Sequence, residues 1–130
     1  MSKHETPMIR AYWEKVGGTL VEEFPVVRRS ASASGRWVDA IIIRRGRHRI
    51  RHWSEVSLEG KDIIVVQAKA SRLGMYLMGQ AVFSEMLVKP FRPRSIRSIA
   101  LCTRDDSALR PLLKRFRNIE VVLMPPAPKR

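Results

Sequence analysis

The sequence predicts an α/β fold, a mixed β-sheet flanked by helices. Three runs carry that expectation: WVDAIII (37–43), DIIVVQAKA (62–70) and SIALCT (98–103). Each is short, rich in β-branched residues and bounded by turn signals, as strands buried on both faces are. Helical segments lie around them, in the order helix, strand, strand, arm, strand, helix, strand, helix, strand.

At the N-terminal end, Thr6 followed by Pro7 reads as a cap with proline at the first helical position. Ile9, Trp13 and Val16 then share one helical face with Tyr12 beside them, and Gly17-Gly18 supplies a stop. TLVEEFPVV (19–27) alternates as a strand that places Leu20, Glu22, Phe24 and Val26 on one side. Pro25 predicts an edge or an irregularity near its end. RRSASASGR (28–36) is a polar loop with basic ends. A turn at Arg45-Gly46 and the stretch RHRIRHW (47–53) predict a basic β-hairpin arm.

Leu73 to Val88 has helical character and is apolar on nearly every side, which means burial in the core or against a second subunit. KPFRPRSIR (89–97) is a proline-broken basic connector. Asp105, Asp106 and Ser107 offer caps for a helix reaching about Phe116, and IEVVLM (119–124) is a final strand. Residues 1–124 are expected to form one domain and 125–130 a flexible tail.

The chain has 130 residues, and an apolar share of 45% sets it apart from disordered tails. Lys and Arg number 25 against 12 acids, a net charge of +13. A field of that sign draws polyanions: DNA, RNA or anionic lipid. The lone cysteine, Cys102, excludes an internal disulfide and a cysteine-cluster zinc site, and its apolar setting predicts a buried small hydrophobe. MSKHETP contains no apolar signal core, and Leu73 to Val88 is too short and interrupted to span a bilayer. The expectation is a cytoplasmic protein with no membrane contact.

Asp39 opens a buried strand, a costly place for a carboxylate without a partner. Gln67 and Lys69 sit two apart on the next core strand, so their side chains leave the same face. If the two strands are neighbours, a carboxylate, an amide oxygen and an ammonium converge. Oxygen ligands of this kind suit Mg²⁺ or Mn²⁺. A plainer alternative pairs Asp39 with Lys69 as a structural ion pair at a strand end.

WVD ending at Asp39, followed 28 residues later by QAK at Gln67 to Lys69, resembles the PD-(D/E)XK nuclease superfamily, and the element order agrees from about Thr6 to Met124. The resemblance implies a restriction-endonuclease-like fold and Mg²⁺-dependent (or Mn²⁺-dependent) hydrolysis of DNA phosphodiesters by an endonuclease. It implies metal ligation by Asp39 and Gln67 and a catalytic Lys69. Val38 stands where the family has proline, and Gln67 where it usually has an acid, which removes one negative charge from the metal site. A QxK version is similar to Mrr-type restriction enzymes and certain transposon-end nucleases.

The stretch VVRRSASASGRWVDAIII (26–43) also resembles the serine loop and second strand of archaeal Holliday-junction resolvases, which would make Ser34 the phosphate-side serine. Such folds imply a further acid from the first helix or strand, and the order of preference is Glu22, Glu5, Glu14. The RecB-like branch implies a supporting glutamine at Gln80, with Ser84 in place of its usual aromatic partner.

Phosphate contacts are expected from Arg28 and Arg29, from Arg45, Arg47, Arg49 and Arg51 along one face of the arm, and from Arg72, Arg92 and Arg94. An edge strand merely protected by charge is the alternative for the arm. His48 and His52 lack a third ligand and are not expected to bind zinc. The implied partner is DNA, with RNA left open. Cutting a duplex favours a homodimer, for which the Leu73–Val88 helix is a candidate interface, and a place in a larger nuclease complex is a further option. The rival to catalysis is a silent nucleic-acid-binding module.

Overall fold

In the computed structural model, which describes residues 4–125, six strands form one mixed sheet. The elements are α1 (Glu5–Val16), β1 (Thr19–Val27), β2 (Arg36–Ile43), β3 (Arg49–Ile50), β4 (Asp62–Arg72), α2 (Met75–Val88), β5 (Ser95–Arg104), α3 (Arg110–Leu113) and β6 (Ile119–Leu123). Their order across the sheet is β3-β1-β2-β4-β5-β6. The β1–β2 and β2–β4 pairs are antiparallel, while β4–β5 and β5–β6 are parallel.

The three buried runs are the central strands, and alternation along them feeds two cores. Ala40, Ile42, Ile64, Val66, Ile99 and Leu101 face α1, which contributes Met8, Ile9, Tyr12 and Trp13. Ile41, Ile43, Ile63 and Val65 face the other way and pack with Val88 of α2. A third cluster joins Leu77 and Ala81 of α2 to Cys102 of β5, which is buried as expected. Truncating a fully buried residue such as Ile42 costs about 2–5 kcal/mol.

Four expectations need correction. Helix α1 begins at Glu5 with His4 as its cap, so Pro7 is the third helical residue. The first-turn amides have no intrahelical acceptor, and a proline there sacrifices no bond. The alternation predicted for β1 breaks at Glu23, which has φ 53°, so Leu20 and Phe24 enter opposite cores. The irregularity expected near Pro25 is present as a register shift between Pro25 and Val27.

The basic β-hairpin arm is not formed. The chain turns back after Ile43, and β3 is a two-residue strand lying parallel to β1. Tertiary contacts decide this path. The Thr19 hydroxyl donates to the Arg47 carbonyl at 2.7 Å, and the His48 ring stacks on Trp13 at 4.0 Å between centroids. Gly46 is required beside Thr19, since a Cβ there would lie 2.6 Å from the threonine Oγ1.

Finally, α3 has four residues where a longer helix was expected. The Asp106 carboxylate does cap the amides of Ala108 and Leu109, but only Leu113 of the helix is buried, so packing does not extend it. Of the predicted tail, residues 126–130 lie outside the described residues. Among the described residues no helix is long and apolar enough to cross a membrane.

Candidate active site

The β2–β4 ladder runs from Ile43↔Ile63 to Ala40↔Val66 and then stops. Beyond that point side chains span the gap. The Asp39 amide donates to Gln67 Oε1 at 3.2 Å, and Asp39 Oδ2 accepts from the Ala68 amide at 2.9 Å. Two residues further along, the Ala70 amide donates to Glu5 Oε2 at 3.1 Å. Amides two apart on a strand are about 6.6 Å from each other and point the same way. Asp39 from β2 and Glu5 from α1 are thus brought side by side along the open edge of β4.

Gln67 is only 3% exposed. Its oxygen faces Asp39, and its Nε2 donates to the Ser84 hydroxyl at 2.6 Å. That second contact orients the amide, leaving one lone pair of Oε1 uncommitted. Asp39 and Gln67 therefore meet as the spacing predicts. Lys69, on the same strand, is exposed, and no ion pair joins it to Asp39 among the described residues. The alternative of a structural Asp39–Lys69 pair is not what forms.

The Asp39 carboxyl is held above the usual carboxylate range. Burial is the main cause, the Ala68 amide works against it, and the negative charges of Glu5 and Glu23 push it further up. Glu23 lines a small cavity of about 240 Å³ with Trp37, Val38 and Asp39. No sequence signal marked Glu23, because its placement depends on the positive φ that breaks the strand alternation.

Glu22, the favoured further acid, stands apart and is corrected. It faces α1, where Arg10 grips it with Nη2 at 2.9 Å and Nε at 3.3 Å. Glu14, the third candidate acid, lies beside His48 at 3.3 Å. Gln80 is half-buried on α2, one turn before Ser84, in the wall of a larger cleft of about 740 Å³. Asp39, Gln67 and Ser84 line the same cleft, with Trp37, Tyr76 and Phe83 at its sides.

The basic residues divide into two groups. Arg45 and Arg94 both bind the buried Asp62 carboxylate, whose Oδ1 also accepts from the Ser95 hydroxyl at 2.6 Å. Arg51 pairs with Glu55, Arg92 with Glu59, and Arg72 donates to the Asp105 carbonyl. The four-arginine ribbon is thus corrected too: Arg45, Arg47, Arg49 and Arg51 do not share a strand face. Arg28, Arg29 and Ser34 lie in the exposed 28–35 loop, next to the cleft residues Gly35 and Arg36.

Two solved structures superpose on nearly the whole chain. One, a repair endonuclease from Pyrococcus abyssi, matches with a TM-score of 0.60 and 16% identity, over 97% of this chain and 49% of that one. The other, EndoMS in complex with double-stranded DNA, matches with a TM-score of 0.61 and 17% identity, over 100% of this chain and 47% of that one. This chain shares its fold with about half of each of these two endonucleases. The resemblance to restriction-endonuclease-like nucleases holds at the level of fold, a six-stranded mixed sheet flanked by helices. The chain spans about half the length of either endonuclease. No protein-family model and no curated protein matches it.

Proposed function

We propose that this chain is a metal-dependent endonuclease that hydrolyses DNA phosphodiesters at Asp39. One observation carries the proposal: on an endonuclease fold, β2 and β4 part where Asp39, Gln67 and Glu5 meet, and the half-buried Asp39 carboxylate faces a cleft there.

Among the described residues, no three His, Cys, Asp or Glu side chains come together as a group that could hold a metal ion by themselves. The donor set is Asp39 Oδ1, the second lone pair of Gln67 Oε1, and the acids Glu5 and Glu23 in electrostatic reach. That set fits Mg²⁺ or Mn²⁺, hard ions that take one or two carboxylates and keep waters for phosphate oxygens to replace. Burial chiefly, and after it the like charges of Glu5 and Glu23, hold the Asp39 carboxyl up, and a divalent cation would offset both. When bound, the ion supplies charge stabilisation for the phosphate.

The chain's own groups do the remainder. Gln67, braced by Ser84, fixes the Asp39 backbone, and the Ala68 amide fixes the carboxylate. The Lys69 ammonium, exposed two residues along β4 from Gln67, can donate to a phosphate oxygen or to the attacking water and offset charge as it develops. Incubating supercoiled plasmid with the protein in Mg²⁺, Mn²⁺ or EDTA tests the reading. Nicking that needs the metal and is lost in Asp39→Ala supports it, and intact plasmid in both metals overturns it.

A second reading, a silent DNA-binding module, rests on Gln67, whose amide is engaged at both ends inside the protein. DNA binding without cleavage on any duplex, single-stranded or branched substrate would favour it. A third, a nuclease subunit that cuts only when a partner positions it, draws on the half-length match to the endonucleases. Cleavage that appears only with proteins co-purifying from the native host would favour that one.

A further inference from the structure

The cleft beside Asp39 has aromatic walls. Trp37 is 61% exposed, Tyr76 78% and Phe83 61%. Met75 and Met86 extend the same exposed side of α2, opposite its buried Leu77, Ala81 and Val88. Exposed apolar residues gathered in one concavity mark a binding surface.

Trp37 is also held in place. A Cβ on Gly35 would lie 3.2 Å from the indole Cη2 and 3.4 Å from Cζ3, so the bare glycine lets the ring rest on the backbone. An aromatic ring fixed on one side and open over most of its surface is a stacking platform. Around it, Arg28, Arg29 and Arg36 are exposed and make no ion pair among the described residues. Cations interleaved with aromatics suit a nucleic-acid strand whose bases are turned outward. A second copy of the chain fits less well. A twofold contact there would set the same three guanidinium groups against their symmetry mates.

Resting on the nuclease reading above, we propose that this cleft holds an unpaired nucleobase next to the cleaved phosphate, stacked on Trp37 and flanked by Tyr76 and Phe83. The substrate is then a strand with at least one unpaired nucleotide. The cleft volume of about 740 Å³ lies within the range of about 300–1,000 Å³ for pockets that take small organic groups. Stacking tolerates any base, since each has a π-face, and the Gln80 amide can both donate to and accept from a base edge. Bases inside a duplex have their faces covered by their neighbours and must leave the stack to enter.

Fluorescence anisotropy in EDTA reads binding apart from cleavage. Trp37→Ala and Tyr76→Ala should each weaken binding of a short single strand about tenfold, and binding of a blunt duplex by no more than about twofold. Trp37→Phe should restore most of the loss. Equal losses on both substrates, or none, would overturn the proposal. So would a concentration-dependent dimer in sedimentation that Trp37→Ala dissociates, which would assign the face to a second copy. Selective single-strand binding through Trp37 by a protein that cuts no DNA in either Mg²⁺ or Mn²⁺ would keep the base pocket and remove the nuclease reading alone.

Discussion

The Ala68 amide donates to the Asp39 carboxylate at 2.9 Å, at a point where two β-strands have ceased to exchange backbone hydrogen bonds. The carboxylate takes the place of a ladder carbonyl and is anchored by the sheet it interrupts. Its position is therefore a property of the fold, while its charge remains open to the cleft.

Asp39→Ala and Lys69→Ala should each lower plasmid nicking by about a hundredfold or more while leaving circular dichroism and most DNA affinity unchanged. Single-turnover assays at saturating DNA measure this. Wild-type rates in either purified variant would remove Asp39 and Lys69 from the site.

Gln67→Glu should tighten Mg²⁺ binding in calorimetry. A glutamate keeps the shape, accepting from the Asp39 amide with one oxygen and from the Ser84 hydroxyl with the other, and adds the missing negative charge. Unchanged affinity would mean that residue 67 is a brace and not a ligand.

Without metal, Asp39→Asn should raise Tm at pH 7. The folded-state pKa of Asp39 lies above its unfolded value of 3.8, so the folded protein binds the extra proton. The penalty is absent below about pH 3.8, grows as pH rises through the folded pKa, and is complete above it. Thermal unfolding at pH 7 and at pH 3.5 should show the gain only at the higher pH. A variant less stable than wild type at pH 7 would mean that the carboxylate's bond to Ala68 outweighs its burial.

DNA binding should weaken steeply with salt, since each phosphate contact on a duplex contributes about 0.9 to the slope of log K against log salt. Replacing Arg28, Arg29 and Arg36 together with alanine should flatten that slope by about 2–3. Arg45→Ala should leave it within error, because that guanidinium is engaged by Asp62. A slope changed by Arg45 and not by the loop arginines would reverse the assignment.

Asp62→Ala should cost about 1.5–3 kcal/mol, because one buried carboxylate ties the Arg45 turn and Arg94 to the start of β4. Urea unfolding measures it. A loss below about 0.5 kcal/mol would mean that the exposed arginine ends lend the network little.

The central strands, the two longer helices and the meeting of Asp39 with Gln67 were legible because each depends on local pattern. Runs of β-branched residues specify buried strands, and a two-residue period puts Gln67 and Lys69 on one side. What escaped depends on distant partners. Nothing near Arg45 or Arg94 in the sequence indicates that both turn to Asp62, 17 and 32 residues away. The predicted hairpin arm obeyed alternation, yet Trp13 and Thr19 draw that segment along β1 instead. Glu22 and Glu23 are adjacent acids, and only a left-handed φ at the second decides which one comes near Asp39.

Ala68 and Ala70 are alanines in the middle of a chemical site, with methyl side chains that take no part in it. Their amide protons nonetheless point at the Asp39 and Glu5 carboxylates and at no neighbouring strand. In an ¹⁵N-labelled sample these two resonances form an internal gauge. Protonation or metal loading of either acid should move its own alanine peak, so the occupancy of the two carboxylates can be followed separately, without a substrate, in a spectrum of the unmodified chain.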